Sequence, residues 1–170
     1  MTVESMRELY RHLLAEAYDA ERHALMLLDA METEMSEADG RDRVRSYRST
    51  TARQLEMLER AMELLGGACP SVTSAAMQGV RDDRRSLISN SPPGAVLETY
   101  DMVALGRTAV LGSAAYRALA ALAGVCGQTD ARRLFERAIA EEEEAAAWCA
   151  AAIPVAAAAA TLRRGAAIVA

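Results

Sequence analysis

Two glutamates and one arginine fall where helical periodicity calls for apolar side chains, and they are the residues best placed to do chemistry. At about 100° per residue, the segment Leu9 to Met35 gathers Leu14, Ala17, Ala24, Leu28 and Met31 on one face, and Glu21 falls inside that face. The same periodicity sets Glu142 in an arc with Phe135, Ala138, Ile139, Ala145 and Cys149. It sets Arg107 at the centre of an arc of Val96, Tyr100, Val103, Val110, Leu111, Ala114 and Ala118. A carboxylate taken out of water must meet a metal, a cation or a proton, because the unpaired charge is costly to desolvate. Arginine is planar, always charged and carries five donors, so one guanidinium can serve two carboxylates. The expectation is therefore a core ion cluster of Glu21, Arg107 and Glu142. Tyr47, Thr51 and Gln54, on or beside the inner face of the second helix, supply the remaining hydrogen bonds, and no residue is assigned a catalytic role.

These positions require long helices packed side by side. The first is expected from about Val3 to Met35, capped by Thr2. The second runs from Asp42 to Leu65, with Val44, Tyr47, Leu55, Leu58, Ala61, Met62 and Leu65 inward, and Gly66-Gly67 stops it in the manner of a left-handed cap. A short polar turn makes these two antiparallel neighbours. The segment 66–94 holds two clusters of helix breakers around a helical stretch from Val72 to Ile88, and it is too long for an ordinary bundle loop. A crossover from one end of the bundle to the other explains it. Arg81, Asp82, Asp83, Arg84 and Arg85 within it are expected to form a solvated face. The third helix spans about Ala95 to Ala123, Gly124 to Gln128 make a turn, and the fourth helix ends near Ile153. The expected fold is all-α: a four-helix bundle over residues 1–153 with a long crossover between helices two and three, then an alanine-rich tail or short docked helix over 154–170.

Composition narrows the function. Hydrophobic residues make up 52% and aromatic residues only 4% of the 170, which favours helices packed closely through small side chains. A net charge of −5 disfavours nucleic acid and anionic membranes as partners. All the basic side chains are arginine, which says nothing about partners. Cys69, Cys126 and Cys149 are widely spaced and odd in number, so neither a disulfide framework nor a zinc site is indicated. The charged amino terminus lacks a secretory apolar run, and a cytoplasmic location is expected. The uncharged run Ala145 to Leu162 is mostly alanine and is broken by Pro154, so no membrane span is expected there.

Bundles that hold two metal ions place a Glu on each of two helices and Glu-x-x-His on each of the other two. Here Glu21 is followed three residues later by Ala24 and Glu142 by Ala145, while His12 and His23 lie away from the inner face. No cofactor is expected; if iron or manganese were held, Glu21 and Glu142 would be its ligands.

The segments Leu13 to Leu25, Gln54 to Gly66, Cys69-Pro70, Ala76 to Gly79 and Ala131 to Glu144 together resemble the YciE/YciF-type ferritin-like proteins, most specifically in Tyr18, Asp19, Ala20 and Glu21. The resemblance implies a ferritin-like bundle associated with bacterial stress responses, frequently dimeric, with a carboxylate-bridged metal pair. Glu21 and Glu142 match acidic positions of that family. Its second-helix His-x-x-Glu-Thr pattern falls here at Tyr47 to Thr51, and its third-helix Glu-His-Tyr-Glu pattern at Gly106 to Ala109. The expected function is accordingly a non-enzymatic, stress-associated bundle with a degenerate metal site. It would form a homodimer and leave room for an unidentified protein or small-molecule partner. A metal-dependent oxidase or iron-binding protein is the alternative, and an apolar small-ligand binder the third.

Overall fold

A computed structural model describes the backbone of residues 3–66 and 70–169, and side chains as far as residue 162. The described residues form five helices: α1 (Met6–Glu34), α2 (Ala38–Leu65), α3 (Ala75–Ser89), α4 (Gly94–Val125) and α5 (Thr129–Val169). Helix α1 starts later than expected because Ser5 is its cap. The Ser5 hydroxyl accepts from the Glu8 amide at 3.2 Å while the Glu8 carboxylate accepts from the Ser5 hydroxyl at 3.0 Å. Thr2, Gly67 and Cys69, which carried expectations of their own, lie outside the described residues. Gly66 ends α2 at φ 66°, where a side chain would be strained. Arg7 and Arg11 of α1 donate to the Leu65 carbonyl at 3.0 and 3.2 Å, satisfying an acceptor that the helix end leaves open.

The long helices form a ring in which α1 touches α2 and α4, and α5 touches α2 and α4, so α1 lies diagonally across from α5 and α2 from α4. Because α2 and α4 run in the same direction, the chain must return along the bundle between them. Helix α3 makes that crossover, packing on α1 and α4. Its cap residue Ser74 donates its amide to Asp19 of α1 at 2.9 Å, and its Arg81 meets His23 of α1. An all-α bundle with a long crossover between its second and third long helices is what the length of the 66–94 link called for.

Two further expectations about the helices fail. Helix α5 continues through Pro154 instead of ending near Ile153. The proline removes one donor from the ladder, and residues 150–162 carry mostly small, partly exposed side chains that leave room for its ring. The second failure is the phase of α4. Its buried face is Asp101, Met102, Ala104, Leu105, Thr108, Ala109, Ser113, Tyr116, Leu119, Ala120 and Ala123, whereas Val96, Val110 and Leu111 are exposed. Helix α4 carries apolar residues on every side, so periodicity has almost no contrast from which to set a rotation. By length and composition alone, α4 and the described part of α5 are also apolar enough to cross a membrane, α4 being a core helix of this bundle.

The core divides into two apolar clusters. One holds Leu28, Met31, Val44, Leu105 and Cys149; the other holds Tyr10, Leu14, Leu58, Tyr116, Leu119 and Phe135. Between them, at the same level on all four long helices, lies a polar layer.

Candidate functional site

Each long helix contributes to this layer. Glu21 of α1 is 6% exposed and Glu142 of α5 is 1% exposed. The Tyr116 hydroxyl of α4 donates to Glu21 Oε1 at 2.7 Å, and the Tyr47 hydroxyl of α2 donates to Glu142 Oε2 at 2.5 Å. Diagonal helices thus hold the carboxyls and the other diagonal holds the tyrosines. The Tyr116 ring is fixed by Phe135, which stacks on it at 6.2 Å and meets Tyr10 edge-on at 6.5 Å.

Glycine 112 of α4 makes room for the second carboxyl. A Cβ at Gly112 would lie 3.0 Å from both Cδ and Oε2 of Glu142, so an alanine would press on that group. Thr51 is fully buried and Gln54 is 2% exposed beside the layer, with the Gln54 amide nitrogen donating to Glu141 Oε2 at 3.0 Å. Glu142 Oε1, Thr51 Oγ1 and Gln54 Oε1 are buried without a hydrogen-bond partner.

Burial pushes the Glu21 carboxyl up to about 8, and the charge of Glu142 pushes in the same direction, against the pull of the Tyr116 hydroxyl. Burial likewise pushes Glu142 up to about 7, with the Tyr47 hydroxyl and the Gln54 side chain pulling it down. Both tyrosines are held well above their ordinary range, first by burial and then by the neighbouring carboxyls. Near neutral pH Glu21 therefore keeps its proton and Glu142 is close to the middle of its titration, beside phenols that do not give theirs up.

Arg107 is not part of it. Its side chain is 50% exposed and pairs at 3.1 Å with Asp83 of α3, which is 62% exposed. The expected Glu21–Arg107–Glu142 cluster is thus corrected: the misjudged rotation of α4 put the outer face of that helix inside. Tyr116, which occupies the α4 position in the layer, was missed for the same reason. The signal that could have found it was a tyrosine one turn from Gly112 in an otherwise alanine-rich stretch.

A buried guanidinium does exist, elsewhere. Arg84 of α3 donates to both oxygens of Asp101 on α4, at 2.7 and 3.1 Å, and to Glu34 of α1 at 2.7 Å. The Arg84 and Asp101 side chains are 5% and 2% exposed, which corrects the expectation that Arg81 to Arg85 form a wholly solvated face. Burial raises the Asp101 carboxyl above its ordinary range, although the Arg84 hydrogen bonds pull it the other way.

Among the described residues no group of three or more His, Cys, Asp or Glu side chains converges to hold an ion. Two carboxylates offset at most half the charge of two divalent cations, and phenols held well above their ordinary pKa do not readily become ligands.

The fold and layer define a class: an all-α bundle with a crossover helix and a carboxyl–tyrosine layer at mid-height. The chain belongs to the family described as Domain of unknown function (DUF892), whose profile matches residues 5–161. Its likeness to YciE/YciF-type proteins is borne out by solved structures. It is similar to the stress protein YciF of E. coli at 18% identity and TM-score 0.83, over 91% of this chain and 98% of that one. YcfI of Rhodopseudomonas palustris matches at 22% identity and TM-score 0.80, over 86% and 94%. A protein of Xanthomonas campestris pv. campestris matches at 22% and 0.78, over 95% and 99%. No curated protein matches the chain.

Proposed function

We propose that this chain is a non-enzymatic, stress-associated bundle protein in which two carboxyl–tyrosine pairs stand where a metal pair would otherwise be held. The observation that carries this reading is the donor set. Glu21 and Glu142 each accept from a tyrosine hydroxyl, and neither is joined by the further carboxylates and imidazoles that two metal ions need. Burial then favours a proton on these carboxyls over a metal ion as the means of neutralising them. The association with stress rests on the description of the E. coli neighbour. A homodimer in the cytoplasm, without nucleic acid or membrane contact, completes the proposal. Val155 and Leu162 on the described far half of α5 are 70% and 75% exposed and offer apolar surface to a second copy.

The deciding experiment is metal analysis of protein purified with added iron or manganese and then desalted. The expected result is metal well below one ion per chain, unchanged in Glu21→Gln and Glu142→Gln variants. Retention of close to two ions per chain, lost in those variants, would establish the iron-binding or oxidase alternative instead. Sedimentation at micromolar concentration tests the assembly, and a single monomeric species would remove the dimer.

A further inference from the structure

A cavity of about 210 Å³ opens onto the two carboxyls between α1, α3 and α4. Its walls are small and apolar, including Ala17, Ala20, Ala24 and Ala115, and Gly112, Glu21, Tyr47 and Glu142 also line it. An enclosed apolar space of about 150 Å³ holds a benzene molecule, so this one has room for a compact organic guest. We infer that the cavity binds a small organic ammonium ion, its charged head against Glu21 and Glu142 and its hydrocarbon part against the alanine walls.

Three observations choose that chemistry. First, among the described residues neither Glu21 nor Glu142 has an ion-pair partner; Arg107 and Arg117, the basic residues of α4 nearest in sequence to Gly112, pair with Asp83 and Glu143. Second, Glu142 is 1% exposed, and its Oε2 lies beside Gly112 of the cavity wall with Tyr47 as its one hydrogen-bond donor, so the carboxyl keeps acceptor capacity on the cavity side for an N–H donor. Third, beside the two carboxyls and Tyr47 the walls add only Glu16, Ser74 and Thr108 that could replace the water around a divalent ion, and the rest is apolar, whereas an alkylammonium brings its own apolar part.

The inference rests on the reading that the carboxyl pair is free of metal, and it adds a consequence for pH. The groups facing the pair are Tyr116 from α4, Tyr47 from α2, Glu16 from α1, and Glu141 and Cys149 from α5, while α3 adds only Ser74, Ala76 and Met77. An ammonium ion entering at slightly acid pH must displace a carboxyl proton to solvent and itself stays protonated. At alkaline pH the carboxylate is already formed and no proton is released. Affinity should therefore rise with pH, by about tenfold for each unit over which one carboxyl must first ionise.

The test uses the full chain and three probes of one size: n-butylammonium, n-butanol and butyrate, followed by calorimetry and by shifts of the alanine methyl resonances. Butylammonium should bind at one per chain, with a Kd in the millimolar range or tighter. It should bind at least tenfold more tightly at about pH 8.5 than at about pH 6, with proton release in the acid range only. Butanol and butyrate should bind at least about tenfold more weakly, a factor equal to one ordinary step in affinity. Glu142→Gln should weaken the ammonium by a similar factor while the circular dichroism stays helical, and Gly112→Ala should weaken it by crowding the same carboxyl. Equal binding of butanol and butylammonium, no effect of Glu142→Gln, or no saturable binding would each overturn the inference. A parallel titration with iron or manganese separates the two failures. Metal uptake lost in Glu142→Gln would overturn the metal-free reading and this inference with it, while no uptake of either metal or amine would overturn the amine site alone.

Discussion

The molecule buries ionisable groups in two places and neutralises them by different means. On one side of the bundle, Arg84 forms hydrogen bonds to both oxygens of Asp101 and reaches Glu34, joining the crossover helix to α4 and α1. In the middle of the bundle, Glu21 and Glu142 meet tyrosine hydroxyls, with the Gln54 amide beside Glu142, and no cationic side chain among the described residues. The difference lies in what each arrangement leaves free. A guanidinium held by three hydrogen bonds fixes the position of an element, and its charge is spent on its partners. A protonated carboxyl beside a cavity keeps a charge in reserve. The first cluster is a fastening, while the second has the properties of a site.

The fastening should give the largest single effect. Replacing Arg84 by Met leaves Asp101 buried at 2% exposure without its partner, and the loss should be about 3 to 5 kcal/mol. Chemical denaturation measures it. Replacing Arg84 and Asp101 together by Met and Leu should recover most of that loss, since the penalty belongs to the orphaned charge more than to the pair. A cost near zero for Arg84→Met would mean that the crossover is not held in this way.

How much of this contrast was legible in the chain depended on local contrast in polarity. Helices α1 and α2 alternate charged and apolar residues, so the inward placement of Glu21, Tyr47, Thr51 and Gln54 follows from periodicity alone. Glu142 was legible because the first half of α5 is similarly mixed, and the crossover was legible from the length of the link. Helix α4 was not legible in phase, and with it went Arg107, Tyr116 and Gly112. Arg84 was hidden for the opposite reason. It sits in a run of charged residues whose average is polar, and only the partner across the helix interface, Asp101, distinguishes it from Arg81 and Arg85. That pairing is tertiary information.

The second effect concerns pH. Glu21 and Glu142 are pushed up to about 8 and about 7 from an ordinary value of 4.5, so the folded chain binds more protons than the unfolded chain between those limits. Stability due to this layer should then be fully present below about pH 4.5 and be lost as pH rises through about 7 to 8. The variant carrying Glu21→Gln and Glu142→Gln cannot titrate there, so its stability curve should be flatter. It should exceed the parent by roughly 2 kcal/mol at about pH 9, within the range for a buried polar group left without full compensation. Denaturation of both proteins from acid to alkaline pH checks this, and parallel curves would mean that the carboxyls do not hold protons when buried. Asp101 is raised as well and remains in both proteins, so it cancels in the difference.

The smallest effect is expected at the residue that helical periodicity placed at the centre of the molecule. Arg107 and Asp83 are 50% and 62% exposed and meet at 3.1 Å between α4 and α3. An ion pair in that setting gains little Coulomb energy, loses side-chain freedom and is screened by salt. Arg107→Leu should therefore change stability by less than about 1 kcal/mol, and most of that change should vanish in about 1 M salt, where the screening length falls to about 3 Å. The same substitution at the centre of a buried cluster would cost several times as much and would be insensitive to salt, because the solvent ions could not reach it. Measured beside Arg84→Met in the same denaturant series, Arg107→Leu separates the two placements directly. A large, salt-independent loss at Arg107 with little change at Arg84 would exchange the inner and outer faces of α4 and return the guanidinium to the carboxyl layer.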